Sequence, residues 1–211
     1  MDSGETYGLA DIFVSLQGEG RNTGRPAVFL RFAGCNLACP WCDTDCSEKM
    51  RMPLSEVVAS VESSGMKSVI MTGGEPTLQP GLFKLAKELR ARGCWIAIET
   101  NGVKALAEPG VFDYIAVSPK AEYSERYKSE DFQRSADEVR IVASDVNAMP
   151  FFERARRDFK ANDYYVSPLD RFGRPGIPLA LDMLSALNSR LQPGEKPWAL
   201  SVQMHKFIGI K

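Results

Sequence analysis

The sequence predicts an α/β fold, a partial (β/α) barrel of about six parallel strands with its active site at the C-terminal strand ends. Three observations lead there. Short β-rich runs alternate with amphipathic helical runs along the chain. Polar or glycine-rich groups follow nearly every β-rich run. No repeat, low-complexity tract or linker divides residues 1–211, so a single domain is expected.

The elements follow in order. Residues 27–32 (AVFLRF), begun by Pro26, form the first strong strand. Leu54, Val57, Val58 and Val61 share one helical face, and Gly65 stops that helix. Residues 68–72 make a buried strand. Leu82, Leu85, Ala86 and Leu89 form the next stripe, ended by Gly93. Residues 94–99 and 114–118 are strands, and the hydrophilic stretch 120–136 reads as a long surface loop or a short helix. Residues 138–142 form a strand; Phe151, Phe152, Ala155 and Phe159 mark a helix; residues 164–166 form a short strand. Ala180, Leu184, Leu187 and Leu191 give the last helical stripe, and residues 199–203 the last strand.

Repeated strand–helix units imply parallel strands with right-handed crossovers. An open doubly wound sheet and a complete or partial barrel both satisfy that pattern. The polar strand ends favour the barrel, because its geometry gathers every C-terminal strand end around one mouth, whereas an open sheet brings only some to its crevice.

Composition removes several classes of function. The 211 residues carry a formal net charge of −1, with 44% hydrophobic and 25% charged residues. Such a balance gives no field for nucleic acid or anionic membranes. No apolar run approaches the roughly 18 residues of a membrane span. The opening MDSGETYGLADIF lacks the basic start and apolar core of a signal peptide, so a cytoplasmic location is expected.

Four of the five cysteines, Cys35, Cys39, Cys42 and Cys46, lie within twelve residues; the fifth is Cys94. In a reducing compartment such clustering points to metal or redox chemistry rather than disulfides. Cys35, Cys39 and Cys42 have the spacing C-x3-C-x2-C. Three thiolates on one tight loop can hold three irons of a cubane and leave the fourth open. A structural zinc site with Cys46 as fourth ligand, or a closed cluster, is the competing reading. Cys94, at the start of a strand, reads as a small core residue.

The segment Thr72-Gly73-Gly74-Glu75-Pro76 follows the second strand. Its glycines either let a ligand reach bare backbone or make a plain strand-to-helix turn. Glu99, Ser118 and Lys120 stand directly after apolar strands, as ligand contacts or as rim ion pairs of little energetic weight.

The cysteine spacing resembles the radical S-adenosylmethionine (SAM) superfamily, and further segments resemble one of its families. Residues 15–20 (SLQGEG), 26–31 (PAVFLR), 41–44 (WCDT), 72–76 (TGGEP), 99–102 (ETNG), 117–120 (VSPK) and 203–206 (QMHK) match the 7-carboxy-7-deazaguanine synthase family in order. That resemblance implies a carbon–nitrogen lyase. It would convert 6-carboxy-5,6,7,8-tetrahydropterin to 7-carboxy-7-deazaguanine with ring contraction and loss of ammonia, in queuosine or other deazapurine biosynthesis.

The resemblance implies a [4Fe–4S] cluster on Cys35, Cys39 and Cys42, with SAM held by Gly74, Glu99, Ser118, Pro119, Lys120 and Ser167. It implies Mg2+ on Thr44. For substrate it implies Leu16, Gln17, Gly18, Glu19, Arg31, Thr72, His205 and the carboxylate of Lys211. Arg31 would clamp a carboxylate with its planar fork. Where the family commonly has Gln-Pro after a late strand, this chain has Ser167-Pro168, a shorter donor. The family also implies a homodimer and an electron donor such as flavodoxin or ferredoxin. Arg31, Thr44 and His205 have plainer readings as an ion-pair residue, a turn residue and a satisfied core histidine. Two other functions compete: a glycyl-radical-enzyme activase, which shares the cysteine and GGEP-like segments, and a zinc-binding interaction module.

Overall fold

The computed structural model describes residues 4–171 and 173–211, so the first three residues of the opening segment lie outside it. The chain forms two compact units.

The first unit contains residues 1–17, 24–100 and 106–115. Its strands are β1 (Thr6–Leu16), β2 (Pro26–Phe32), β3 (Met50–Pro53), β4 (Ser68–Gly73) and β5 (Trp95–Thr100). β2, β4 and β5 are parallel neighbours, and β1 and β3 extend the edge antiparallel. Helix α1 (Leu54–Ser63) follows β3, and α2 (Leu82–Ala91) follows β4. Each buries the stripe its sequence predicts: Leu54, Val57, Val58 and Val61 on α1, and Leu82, Leu85, Ala86 and Leu89 on α2. One strand face carries Val28, Leu30, Phe32, Val69, Met71, Ile96 and Ile98, all buried. Each large side chain there contributes about 1.5–3 kcal/mol through burial.

The opposite face holds Phe13, Ala27, Phe29, Ile70, Ala97, Trp95 and Tyr114. Phe13 and Phe29 stack at 5.1 Å, and the Arg25 guanidinium lies 4.0 Å from the Trp95 ring centre. This apolar floor lies under the polar ends of the same strands, because alternate residues of a strand share a face.

The second unit contains residues 18–23, 101–105 and 116–211. β6 (Tyr114–Val117) enters it, followed by β7 (Ser135–Ala143), α3 (Met149–Asp158) and β8 (Lys160–Pro168). A two-stranded hairpin, β9 (Asp170–Arg171) and β10 (Arg174–Pro175), precedes α4 (Ile177–Asn188), β11 (Ala199–Leu200) and α5 (Met204–Ile208). β6, β7, β8 and β11 are parallel in that order. Tyr127, Phe132, Phe151 and Phe159 form an aromatic core with ring centres 5.2–6.0 Å apart.

Neither set of strands closes on itself. The fold is α/β, mostly parallel and open, as expected of a partial barrel. The described residues provide seven parallel strands where about six were expected.

Several elements differ from the sequence reading. β1 precedes the expected first strand; a register shift between Leu9 and Asp11 breaks its alternation. β8 has nine residues rather than three, and β11 two rather than five. α4 buries Ala180, Met183 and Leu187, while Leu184 is only half-buried and Leu191 lies past the helix end. The stretch 120–136 takes the short-helix form of its two expected forms, but it is not confined to the surface. Residues Ala121–Lys128 form a 3-10 segment, Tyr127 and Phe132 are buried, and Ser135 already belongs to β7.

Candidate active site

β2 delivers the chain from Phe32 into an irregular loop bearing Cys35, Cys39 and Cys42. Cys35 and Cys42 are exposed, Cys39 and Cys46 half-buried, and Cys94 is buried in the core as expected. The Leu37 amide donates to Cys35 Sγ at 3.4 Å, and the Thr44 carbonyl accepts from Cys42 Sγ at 3.7 Å. Although Cys35 is exposed as a residue, partial withdrawal of its thiol from water raises its pKa. The Leu37 amide opposes that rise, while the charges of Glu75, Cys46 and Cys42 add to it. Among the described residues, no three His, Cys, Asp or Glu side chains already stand grouped as a metal cage.

The glycine segment after β4 is bonded to this loop. The Gly74 amide donates to Phe32 O at 3.1 Å, and the Glu75 amide to Gly34 O at 2.9 Å. A Cβ at Gly73 would strike the Phe32 backbone, and one at Gly74 the Gly34 carbonyl. Gly73 is therefore required by close approach of the end of β2, and Gly74 by close approach of the cysteine loop. With the Gly74 and Glu75 amides committed to protein, the polar backbone group that these two positions can offer a ligand is carbonyl oxygen.

Glu75 is fully buried. It accepts from the Thr77 amide (3.1 Å), the Thr77 hydroxyl (2.8 Å) and the Thr100 hydroxyl (2.7 Å). It caps the turn after β4 and ties that turn to the end of β5. The sequence reading assigned it no site role, and an acidic residue after a glycine pair was the available signal.

Three predicted site residues form one hydrogen-bonded set. Gln17 and Thr72 are each 8% exposed. Gln17 Nε2 donates to Glu99 Oε1 at 2.9 Å, and Thr72 Oγ1 donates to Glu99 Oε2 at 2.9 Å. Arg31 is the register partner of Thr72, and its guanidinium lies 5.4 Å from the Phe13 ring centre. Leu16 shares the strand face of Val14, opposite Phe13 and Ser15. Thr44 is half-buried beside the cysteine loop.

In the second unit, Lys120 Nζ donates to Ser118 Oγ at 2.6 Å, and Pro119 is buried. Tyr127 fixes this corner: its hydroxyl accepts from the Lys120 amide at 3.0 Å and donates to Asn101 O at 2.9 Å. Ser167 is buried at the end of β8, and its hydroxyl has no hydrogen-bond partner among the described residues. The imidazole of His205 lies against Gly18, and the Met204 amide donates to Gly18 O at 2.9 Å. Lys211 is exposed.

Glu19 pairs with Arg140 at 2.8 Å, and Arg140 also meets Glu138 at 3.0 Å. Arg140 and Glu138 are 4% and 2% exposed, an ion cluster the sequence reading missed. Charged residues inside an apolar strand were its only signal. Glu138 accepts from the Arg21 amide at 2.9 Å, and Gly20, at φ +64°, leaves room for that carboxylate.

Residues 30–143 match the model of the radical SAM superfamily. The 7-carboxy-7-deazaguanine synthase of Haemophilus influenzae is 44% identical over 206 residues, covering 97% of this chain and 94% of its own. The chain belongs to the 7-carboxy-7-deazaguanine synthase family.

The synthase of Neisseria meningitidis is also 44% identical, over 205 residues, with the same coverage of both chains. The crystal structure of QueE from Escherichia coli superposes with a TM-score of 0.71 at 24% identity, covering 95% of each chain, so the fold is shared. Radical SAM membership implies a [4Fe–4S] cluster and SAM. The residues present fit both. Three thiols lie on one accessible loop, with a backbone amide already donating to Cys35 Sγ. The buried, unpartnered Ser167 hydroxyl and the Ser118–Lys120 pair are polar groups of the kind a zwitterionic nucleoside needs. Among the described residues no helix is long and apolar enough to cross a membrane.

Proposed function

We propose that the protein converts 6-carboxy-5,6,7,8-tetrahydropterin to 7-carboxy-7-deazaguanine with loss of ammonia, acting as a carbon–nitrogen lyase in one radical SAM domain over residues 1–211. The observation that carries this reading is 44% identity to a synthase of that name across 94% of its length. A cluster on Cys35, Cys39 and Cys42, together with SAM, would supply the radical chemistry that the ring contraction needs.

Cys35, Cys39 and Cys42 hold the cluster in this reading. Carbonyls around Gly74, together with Glu99, Ser118, Pro119, Lys120 and Ser167, hold SAM. Arg31 offers a bidentate fork to the pterin carboxylate. Gln17, Glu19 and Thr72 read polar ring edges, with Gly18 and the Leu16 main chain shaping that segment. His205 and Lys211 complete the substrate set. Thr44 would hold Mg2+, a hard cation that is commonly bound through few protein oxygens. A reduced flavodoxin or ferredoxin supplies the electron, the assembly is a homodimer, and the location is cytoplasmic.

The decisive experiment is anaerobic turnover. Reconstituted protein receives SAM, Mg2+, reductant and 6-carboxytetrahydropterin, and products are identified by mass. A deazapurine carboxylate is expected; 5′-deoxyadenosine without it would discard the substrate. Thr44→Ala is expected to keep its iron but lose at least about tenfold in activity at low Mg2+, with much of that restored at high Mg2+. An unchanged Mg2+ titration would remove Thr44 as the ligand.

A further inference from the structure

Glu99 uses both carboxylate oxygens as acceptors, one for Gln17 Nε2 and one for Thr72 Oγ1. An ionised carboxylate only accepts, so this arrangement has one polarity. The Gln17 amide must turn its nitrogen toward Glu99, which directs its carbonyl oxygen away. The Thr72 hydroxyl spends its proton on Glu99 and keeps lone pairs as its outward character. Gln17 and Thr72 are nearly buried, so neither reorients cheaply. Thr72 and Arg31 are register partners on adjacent strands, and Thr72 and Glu99 lie one residue beyond the Met71–Ile98 pair. Acceptor character at Thr72 thus stands on the strand position that pairs with the guanidinium-bearing Arg31.

We propose that Glu99 is a positioning residue that sets Gln17 and Thr72 as acceptors and thereby selects the reduced over the oxidised pterin ring. The inference rests on the proposed substrate. In the tetrahydro ring N5 and N8 carry hydrogen and donate; in the aromatic ring the same atoms are lone-pair acceptors. Two fixed acceptors match the first and oppose the second. A site built for a given donor pattern rejects an analogue that leaves its buried groups unpaired. Contact of Glu99 with SAM is compatible with this role, since a carboxylate has about four acceptor sites.

The test compares anaerobic dissociation constants for 6-carboxytetrahydropterin and 6-carboxypterin on the reconstituted, SAM-loaded protein. Wild type is expected to favour the reduced ligand by about tenfold or more, the size of one donor–acceptor mismatch. Glu99→Gln adds a donor to the relay, lets the Gln17 amide turn, and is expected to bring the two constants within about threefold. The exchange variant Gln17→Glu/Glu99→Gln places an obligate acceptor at residue 17 with a donor behind it, and is expected to restore the preference. A general loss of packing would weaken both ligands alike and would not be rescued by the exchange. Glu99→Gln that keeps the wild-type ratio overturns the inference while leaving the reaction intact. An exchange variant that folds without regaining the preference also overturns it. Wild type that binds neither pterin overturns the functional reading itself.

Discussion

At position 74 the space for a side chain is already taken by the Gly34 carbonyl, and the Gly74 amide is already bonded to Phe32. Gly74→Ala must therefore push the cysteine loop away from the end of β4. Overpacking of this kind costs about 1–3 kcal/mol. Gly74→Ala is expected to unfold at lower denaturant with unchanged m-value, and to bind less iron on reconstitution. Denaturant titration and iron assay check both. Wild-type iron content would show that the cysteine loop does not depend on this contact. Sequence alone identified this glycine pair but left two readings open, ligand approach or turn. The structure adds a third requirement, because the neighbour that excludes a Cβ is the protein's own backbone.

At the scale of elements, the stretch between β6 and β7 shows how a polar sequence can hide a fixed structure. Tyr127 and Phe132 anchor it in the aromatic core, and the Tyr127 hydroxyl bridges the Lys120 amide and the Asn101 carbonyl. Tyr127→Phe keeps the ring and removes both bonds, exposing partly buried backbone groups to an apolar neighbour. The expected cost is about 1–3 kcal/mol in unfolding free energy, with weaker SAM binding by calorimetry. A variant of wild-type SAM affinity would separate this corner from the cofactor.

Elements with clean periodicity were legible in the sequence: α1, α2 and the cores of β2, β4 and β5 follow their hydrophobic patterns. β1 was not, because its register shift at Leu9–Asp11 disrupts the alternation on which a strand assignment depends. β11 and α5 were misread because Ser201 leaves the strand, its hydroxyl accepting from the Gly20 amide, and the chain then turns into a short helix. Candidate site residues could be named where motifs carry them, at the cysteines, the glycine pair and the strand-end polar residues. Hydrogen bonds among those residues, such as the two that converge on Glu99, depend on strand register and could not be read from spacing.

At the scale of the whole molecule, the cysteine loop lies outside the first unit's apolar core. Cys35 and Cys42 are exposed and Cys39 half-buried, so their side chains add little to the apolar interior. The triple variant Cys35→Ala/Cys39→Ala/Cys42→Ala is expected to keep the far-UV circular dichroism of the wild type and lose its iron. SAM at a hundred times its dissociation constant should stabilise reconstituted wild type by about 2.7 kcal/mol and the triple variant by far less. Collapse of the dichroism in the variant would mean that the loop is required for folding.

The bond between the Gly20 amide and the Ser201 hydroxyl joins residues 181 positions apart. The Gly18 carbonyl likewise waits for the Met204 amide. During synthesis at about 5–20 residues per second, residue 20 is made on the order of 10–40 s before its partner. The Gly-Glu-Gly segment therefore passes most of translation without its final anchor, while β2 and β4, close in sequence, can already pair. Contacts of such long range are made late, because chain closure must precede them. The nascent protein thus has its cysteine loop seated against β4 well before the segment beside His205 is fixed, and its vulnerable interval is set by chain length rather than by core strength.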